Sequence, residues 1–312
     1  MFSVVVSHVR QLTPQVFVYQ LRDSAGAQLP LISAGAYLSV AAPTKAGAAS
    51  FREYPICSDP ACRESYDILV DEQTQCGAKP GHSFGLNMRL ECELVGNHFQ
   101  LHADPSPSIL IAEGLGIAAI KPLVHTLVRR GRRLQLHYAG THLESMAFNA
   151  EIEVGFGNRY CLYPADQNQH LDMGKLLAEA PHNALFYVAG SREFIAEVVG
   201  AAATLGVAKD RIQSDCVVIG SDQADKPVVL ELVRSNKLIQ VAADQPLLAA
   251  LQAAGIEVDF DCCVGECGSC ACKVVAGDVE HRDSVLSEAA RARGMMCVCV
   301  SRARSETLVL DL

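Results

Sequence analysis

The sequence contains no tryptophan, and aromatic residues make up only 6% of its 312 positions. It has no run of 18 uninterrupted apolar residues, so a membrane-spanning helix is not expected. Positive charge is also scarce, because 26 lysines and arginines stand against 35 acidic residues, for a net charge of −9. Nucleic-acid-binding proteins usually carry a basic patch or stripe. We therefore expect neither nucleic acid nor a membrane among the partners of this chain.

Several catalytic motifs are missing as well. The sequence has no H-E-x-x-H motif, no paired histidine–carboxylate pattern of that kind and no G-x-S-x-G turn. The segment MFSVVVSHVRQLTPQ lacks the basic residues and the long apolar core of a signal peptide. We accordingly expect a cytoplasmic protein that does not work as a zinc protease or a serine hydrolase.

Cysteine, in contrast, is abundant. The chain has 13 cysteines, and seven of them lie between Cys262 and Cys299. Such clustering is typical of metal chemistry in a reducing compartment rather than of a disulfide framework. Cys262, Cys267 and Cys270 stand in C-x4-C-x2-C spacing, the plant-type arrangement for a 2Fe–2S cluster. The sequence therefore predicts a chain that transfers single electrons.

The cluster needs a fourth thiolate and a loop that can curl around the metal. Gly265 and Gly268 suit such a loop because glycine readily adopts positive φ angles. The fourth thiolate follows in MMCVCVSRA, where Cys297 and Cys299 are both candidates. A structural zinc site is the alternative, but zinc sites usually show two C-x2-C pairs, and this region has only one clear pair.

The residue pattern changes twice along the chain. Residues 1–103 contain short apolar or alternating runs between turn residues, which predicts an antiparallel β-barrel. Residues 104–222 alternate strands with helices, which predicts a parallel α/β domain. The polar stretch at 221–227 is the best linker. Residues 226–312 then carry a hairpin, a helix and the cysteine-rich segment.

This order, together with HRDSVLSEAARARG and SRARSETLVLDL near the end, resembles the phthalate dioxygenase reductase family, which includes vanillate demethylase reductases. The resemblance covers nearly the whole chain. It implies a multidomain fold with an FMN-binding β-barrel, an NAD-binding α/β domain and an α+β ferredoxin domain of the β-grasp type. It also implies Cys299 as the fourth ligand. Electrons would then pass from NADH through FMN and the cluster to a terminal Rieske oxygenase.

Two stretches resemble the flavin motifs of this family. REYPIC stands where the family has R-x-Y-S, which implies that Arg52 holds the FMN phosphate and Tyr54 packs against the isoalloxazine ring. Pro55 replaces the serine and removes a hydroxyl and a backbone N–H. QCGAKPG stands where the family has R-G-G-S, which implies Gly77 and Lys79 as further FMN contacts.

The loop AEGLGIAA resembles the nucleotide loop A-G-G-x-G-I-T-P of the family and follows a predicted strand, SILIA. Gly114 and Gly116 permit a tight turn that aims a helix N-terminus at a phosphate. Glu113 replaces a glycine, and its carboxylate repels an anion unless it turns away. The C-G-P motif near the nicotinamide becomes AGS, which retains Gly190. YAGTH lacks an arginine for a 2′-phosphate, which favours NADH over NADPH.

The departures from the family pattern fall together where flavin and nicotinamide should bind: Pro55, Ala78, Glu113, Ala118, Ala189 and Cys216. Two functions therefore stay open. The first is the reductase component of a Rieske-type aromatic oxygenase or demethylase, which passes electrons from NADH through FMN and the 2Fe–2S cluster. The alternative is an iron–sulfur relay subunit that receives electrons from another donor or from a second reductase subunit.

Overall fold

The structure of the protein is a computed structural model. It describes residues 1–43, 49–71, 84–95, 97, 99–156, 159–216, 226–242, 245–260, 265, 268–283 and 285–312. The described residues up to 216 belong to one compact unit, and those from 226 onward belong to a second. Some predicted site residues lie outside the described part: Gly77, Lys79, Cys262, Cys267 and the side chains of Arg52 and Cys216.

The first sheet is antiparallel and has six strands. They are β1 (Phe2–Gln11), β2 (Val16–Asp23), β3 (Tyr37–Pro43), β4 (Ala49–Pro55), β5 (Tyr66–Asp71) and β6 (Arg89–Val95), in the order β4–β3–β6–β1–β2–β5. An antiparallel bridge between Ile56 and Ile68 joins the two edges of the sheet and closes it into a barrel. Side chains alternate between the two faces of a strand, and the inward set, with Val4, Val6 and Leu21, forms the barrel core. The predicted antiparallel barrel is confirmed.

The second sheet is parallel. Its strands are β7 (Ser108–Glu113), β8 (Leu134–Gly140), β9 (Tyr160–Pro164), β10 (Leu185–Gly190) and β11 (Ile212–Cys216). The helices are α1 (Ile117–Arg129), α2 (Asn149–Phe156), α3 (Met173–Glu179) and α4 (Arg192–Thr204). Short 3-10 turns lie at Gly114–Gly116, Leu143–Ser145, Ala165–Gln167 and Lys209–Arg211. This alternation is the predicted α/β arrangement.

The strand order β11–β10–β7–β8–β9 reverses beside β7. The chain runs outward from β7 to β8 and β9, and it then returns to β10 on the other side of β7. Open parallel sheets bind ligands outside the carboxyl ends of the strands at such a reversal. The loops after β7 and β10 are therefore the place to look for a nucleotide site.

The two faces of the parallel sheet pack against different helices. Helix α1 buries Ile120 and Leu123 in a core that also includes Val16 and Val18 of the barrel. Helix α4 covers the opposite face through Val198, together with α3. Because both faces are covered, the carboxyl ends of β7 and β10 are held from both sides.

The second unit contains β12 (Val228–Leu232), β13 (Lys237–Val241), α5 (Leu247–Ala253), β14 (Ala271–Ala276), β15 (Val279–Glu280), α6 (Glu288–Ala292), β16 (Met295–Cys297), β17 (Arg302–Ala303) and β18 (Thr307–Leu310). A mixed sheet in the order β13–β12–β18–β14–β16 has β12 and β18 parallel and their other neighbours antiparallel. Leu247 and Leu251 of α5 contribute to the core with this sheet. This mixed sheet with its helix is the predicted α+β β-grasp fold.

Among the described residues, no helix combines the length and the apolar character that crossing a bilayer requires. The predicted domain boundaries, at 103/104 and between 222 and 226, stay predictions.

Candidate functional site

Cys270 and Cys299 converge at one end of the second unit. Cys270 directly precedes β14, and Cys299 lies two residues after β16. The two strands pair antiparallel, with Ala271 opposite Cys297. The Sγ atoms of Cys270 and Cys299 come within 3.0 Å of each other, and both residues are buried. Two thiolates at this distance repel each other unless a cation lies against both, so the pair fits the chemistry of a metal centre.

The other described cysteines of this region have different surroundings. Cys297 is fully buried, and Cys272 lies in the core of the second unit. Burial, followed by the charge of Cys270, raises the pKa of the Cys272 thiol to about 12. The thiolate is the form that binds metals, so this raised pKa disfavours Cys272 as a cluster ligand.

The predicted loop glycines have the expected conformation. Gly265 has a φ of 79° and Gly268 a φ of 78°. Gly265 also lies against other parts of the unit, since an added Cβ would come within 2.7 Å of Val300 and 2.9 Å of the Asp283 Cα. A side chain is therefore excluded at Gly265 by space as well as by backbone angle.

Asp283 connects three parts of the second unit. Its carboxylate accepts hydrogen bonds from the Leu286 N–H at 3.0 Å, from Arg291 at 3.2 Å and from the Ser301 hydroxyl at 3.3 Å. Its side chain is completely buried. Burial by itself raises the pKa of this carboxyl, but the Leu286 N–H and the Arg291 guanidinium outweigh it and lower the pKa. Asp283 is therefore a buried anion, held close to both Gly265 and the segment after Cys299.

The predicted nucleotide residues come together at the reversal of the parallel sheet. Gly114 has a φ of 53°, and its carbonyl accepts a hydrogen bond from the Tyr138 hydroxyl at 3.0 Å. Gly116 touches the carboxyl end of β10, because an added Cβ would lie 2.1 Å from the Ala189 carbonyl oxygen. At Gly190 an added Cβ would lie 2.9 Å from the Glu113 Cβ. The glycine turn after β7 is thus in close contact with the carboxyl end of β10.

Glu113 does turn away from the glycine loop, and it turns toward Ser191. Its Oε2 accepts a hydrogen bond from the Ser191 N–H at 2.9 Å and another from the Ser191 hydroxyl at 2.5 Å. Ser191 is also the N-cap of α4, where its hydroxyl oxygen accepts from the Phe194 N–H at 3.2 Å. The carboxylate is therefore built into the structure of both loops.

Known proteins match the chain over its full length. A family model for the 2Fe–2S iron–sulfur cluster binding domain matches residues 231–304. The heme-dependent oxidative N-demethylase beta subunit of Ectopseudomonas mendocina (strain ymp) is 32% identical over 315 residues, which covers 100% of this chain and 99% of that protein. The solved structure of phthalate dioxygenase reductase has a TM-score of 0.81 and 26% identity, covering 99% of this chain and 97% of that one. This chain belongs to the phthalate dioxygenase reductase family.

Membership of the phthalate dioxygenase reductase family confirms the resemblance found in the sequence. The chain is therefore an oxidoreductase. A further relative, the vanillate O-demethylase oxidoreductase of Pseudomonas sp. (strain HR199 / DSM 7063), is 29% identical and covers 100% of both chains. The solved phthalate dioxygenase reductase is described as a modular structure for electron transfer from pyridine nucleotides to 2Fe–2S. The similarity to these proteins confirms the predicted cofactors, which are a 2Fe–2S cluster, FMN and NADH.

The flavin residues inferred from the phthalate dioxygenase reductase family are only partly described. The backbone of Arg52 pairs with Val40 in the barrel sheet, but its side chain lies outside the described part. Tyr54 is buried in the barrel core, with its ring edge-on to Phe84 at a centroid distance of 6.2 Å. Contact between Tyr54 and an isoalloxazine ring stays a prediction.

Reasoning from the family motifs missed three residues. Ser191 and Asp283 are described above. The third is Asp215, whose carboxylate accepts a hydrogen bond from the Tyr37 hydroxyl at 2.7 Å and therefore joins β11 to the barrel. Asp215 directly precedes Cys216, one of the departures from the family pattern. A signal for Ser191 did exist, because a serine at the start of a predicted helix is a typical N-cap.

Proposed function

We propose that this chain is the reductase component of a Rieske-type aromatic oxygenase or demethylase system. It takes electrons from NADH and delivers them one at a time to the terminal oxygenase. The observation that carries this proposal is the end-to-end match with reductase subunits such as the vanillate O-demethylase oxidoreductase of Pseudomonas sp.. The contact between the Cys270 and Cys299 sulfurs supports it at the cluster end of the path. The contact of Gly116 with the carboxyl end of β10 supports it where the nucleotide would bind.

Each residue set has a role in this proposal. Cys262, Cys267, Cys270 and Cys299 ligate the 2Fe–2S cluster; Arg52, Tyr54, Gly77 and Lys79 hold FMN; and Gly114, Gly116 and Gly190 face the nucleotide. When bound, the flavin accepts a hydride as NADH becomes NAD⁺, and it releases the two electrons singly to the cluster. The chain's own residues bind and orient these groups, and hydride transfer requires no acid or base from the protein.

The test is an anaerobic visible spectrum of the purified protein, recorded before and after NADH is added. Flavin and cluster absorption that both decrease would support the proposal, and a weaker response to NADPH would support the preference for NADH. Cluster absorption without flavin absorption, unchanged by NADH, would exclude the NADH-oxidising function for this chain.

The second candidate is an iron–sulfur relay subunit. Glu113, in the glycine loop at 112–119, favours it. A carboxylate replaces a glycine there, where a pyrophosphate would otherwise approach the backbone. The relative from E. mendocina is named as a beta subunit, so it works with at least one other polypeptide. If the spectrum with NADH does not change, the same sample mixed with a separate flavoprotein reductase should show bleaching of the cluster.

The nature of the terminal partner is a separate test. The relative from E. mendocina is named as part of a heme-dependent demethylase, whereas the proposal here is a Rieske oxygenase. Reduced chain should therefore be mixed anaerobically with each kind of oxygenase, and the Rieske or haem absorption should be followed. Faster reduction of the haem protein would overturn the Rieske assignment. We also propose a cytoplasmic location, because the clustering of seven of the 13 cysteines is typical of metal chemistry in a reducing compartment.

A further inference from the structure

Glu113 and Ser191 lie at the reversal of the parallel sheet. Glu113 is the last residue of β7, and Ser191 directly follows β10, which pairs with β7 in parallel. Both residues are thus at the carboxyl ends of adjacent strands, on either side of the crevice where such sheets bind nucleotides. The two hydrogen bonds from Ser191 hold Glu113 Oε2 at the first turn of the 13-residue helix α4.

The two oxygens of this carboxylate have different environments. Oε2 is already bonded to two donors of Ser191. Oε1 makes no hydrogen bond to any residue in the described part of the chain, although the residue is half-buried. A carboxylate oxygen fixed in this way is an acceptor for a ligand N–H, because its partner oxygen prevents the group from rotating.

The charge of Glu113 decides which part of a dinucleotide it can accept. A pyrophosphate carries negative charge, and a carboxylate a few ångströms away would repel it. The nicotinamide end carries no phosphate, and its carboxamide offers N–H donors. The Glu113 side chain has little room to move, because it packs so closely on Gly190 that a Cβ there would not fit.

We propose that Glu113 orients the nicotinamide ring of the donor, with Oε2 locked by Ser191 and Oε1 accepting a hydrogen bond from the carboxamide. This inference rests on the proposed function, since it assumes that NADH is the donor. The replacement of a family glycine by Glu113 then provides a contact for the nucleotide instead of hindering its binding. Ser191 is the residue that positions the Glu113 carboxylate.

The experiment compares the holoprotein with Glu113→Gln and Ser191→Ala. Glu113→Gln keeps the side-chain length but removes the charge and one acceptor oxygen, whereas Ser191→Ala removes the hydroxyl that locks Oε2. Asp172→Ala is the matched control, because Asp172 caps α3, a helix packed on the same sheet, by accepting from the Lys175 N–H at 2.9 Å. Calorimetry measures the affinities for NAD⁺ and for ADP-ribose, which lacks the nicotinamide. Stopped-flow absorbance measures the limiting rate of flavin reduction by NADH.

In Glu113→Gln, we expect the ratio of NAD⁺ affinity to ADP-ribose affinity to fall about tenfold, the low end of the range for one hydrogen bond to a charged group. The limiting rate of flavin reduction should fall about tenfold because the ring is less well oriented. Ser191→Ala should change both quantities in the same direction by a smaller factor, and Asp172→Ala should change neither. If Glu113→Gln does not fold, Glu113→Asp takes its place, because its shorter side chain cannot reach Ser191.

Three results would overturn the inference. An unchanged affinity ratio in both variants would exclude the carboxamide contact. An equal loss of affinity for NAD⁺ and ADP-ribose would show that Glu113 only supports the loop. A wild-type protein that binds neither ligand and shows no bleaching with NADH would overturn the proposed function and this inference with it. The first two results leave the proposed function intact.

Discussion

The sulfur atoms of Cys270 and Cys299 lie 3.0 Å apart, although 29 residues separate the two cysteines in the sequence. The antiparallel pairing of β14 with β16 produces this contact, because it places the residue after Cys270 opposite Cys297. Cys299 then follows in the turn at the end of β16. This geometry supports the assignment of Cys299 as the fourth ligand, and four predictions test this and other parts of the structure.

The first prediction concerns the fourth ligand. Cys299→Ser should lose most of the 2Fe–2S cluster, because a hydroxyl is a far weaker ligand than a thiolate. Cys297→Ser, two residues away and fully buried, should keep it. Iron content per chain and the visible absorption of the two purified variants provide the measurement. The reverse result would assign the ligand to Cys297.

The second prediction concerns the buried carboxylate of Asp283. Asp283→Asn removes the anion that Arg291 and the Leu286 N–H stabilise, and it should cost about 2 kcal/mol of stability in the second unit. It should also speed the loss of cluster absorption in the presence of a chelator, because Asp283 lies against Gly265. Asp311→Asn is the control, since the Arg234 side chain with which Asp311 pairs is largely exposed. Equal rates of cluster loss in the two variants would show that Asp283 does not support the cluster loop.

The third prediction concerns the contact between Gly116 and the carboxyl end of β10. Gly116→Ala would place a Cβ 2.1 Å from the Ala189 carbonyl oxygen, and backbone held on both sheet faces cannot move away easily. We expect a loss of about 3 kcal/mol in the free energy of unfolding. Gly200→Ala in α4 meets nothing within 4 Å and should instead gain up to about 1 kcal/mol. Urea unfolding of both variants checks the prediction, and a Gly116→Ala protein as stable as wild type would refute the close contact.

The fourth prediction is a dependence of stability on pH that arises from His137. Its ring is buried in β8, stacks on Tyr163 and has Nδ1 2.9 Å from the Tyr163 hydroxyl. Burial lowers its pKa to about 4, whereas an unfolded histidine titrates near 6.5. As the pH falls from about 6.5 to 4, the unfolded chain takes up a proton that the folded chain does not. The stabilisation that His137 provides above this range is therefore lost, up to about 3 kcal/mol.

Urea unfolding of the wild type and of His137→Gln at pH 7 and pH 5 measures this effect. The wild type should lose more stability between the two pH values than His137→Gln does. His170→Gln, at an exposed histidine, should behave like the wild type. A wild type and a His137→Gln variant that lose equal stability would exclude His137 as the source.

The β-grasp fold of residues 226–312 was implied by the resemblance to the phthalate dioxygenase reductase family, whereas local pattern was enough to predict the barrel and the parallel sheet. These two follow from apolar periodicity and turn residues, which act within a few positions of each other. The same holds for Gly265 and Gly268, because a loop that wraps a metal requires positive φ and glycine tolerates it best. The cysteine spacing likewise predicted the cluster from one short segment.

Two features depended on the tertiary structure. The sequence left Cys297 and Cys299 equivalent by spacing, and the register of β14 against β16 is what brings Cys299 to Cys270. The direction of the Glu113 side chain was also open, because its partner Ser191 is 78 residues away. Register and packing between distant segments decide such contacts, since they depend on which strands become neighbours. The sequence by itself therefore determined the kinds of site in this protein, and only the fold decided which side chains meet in them.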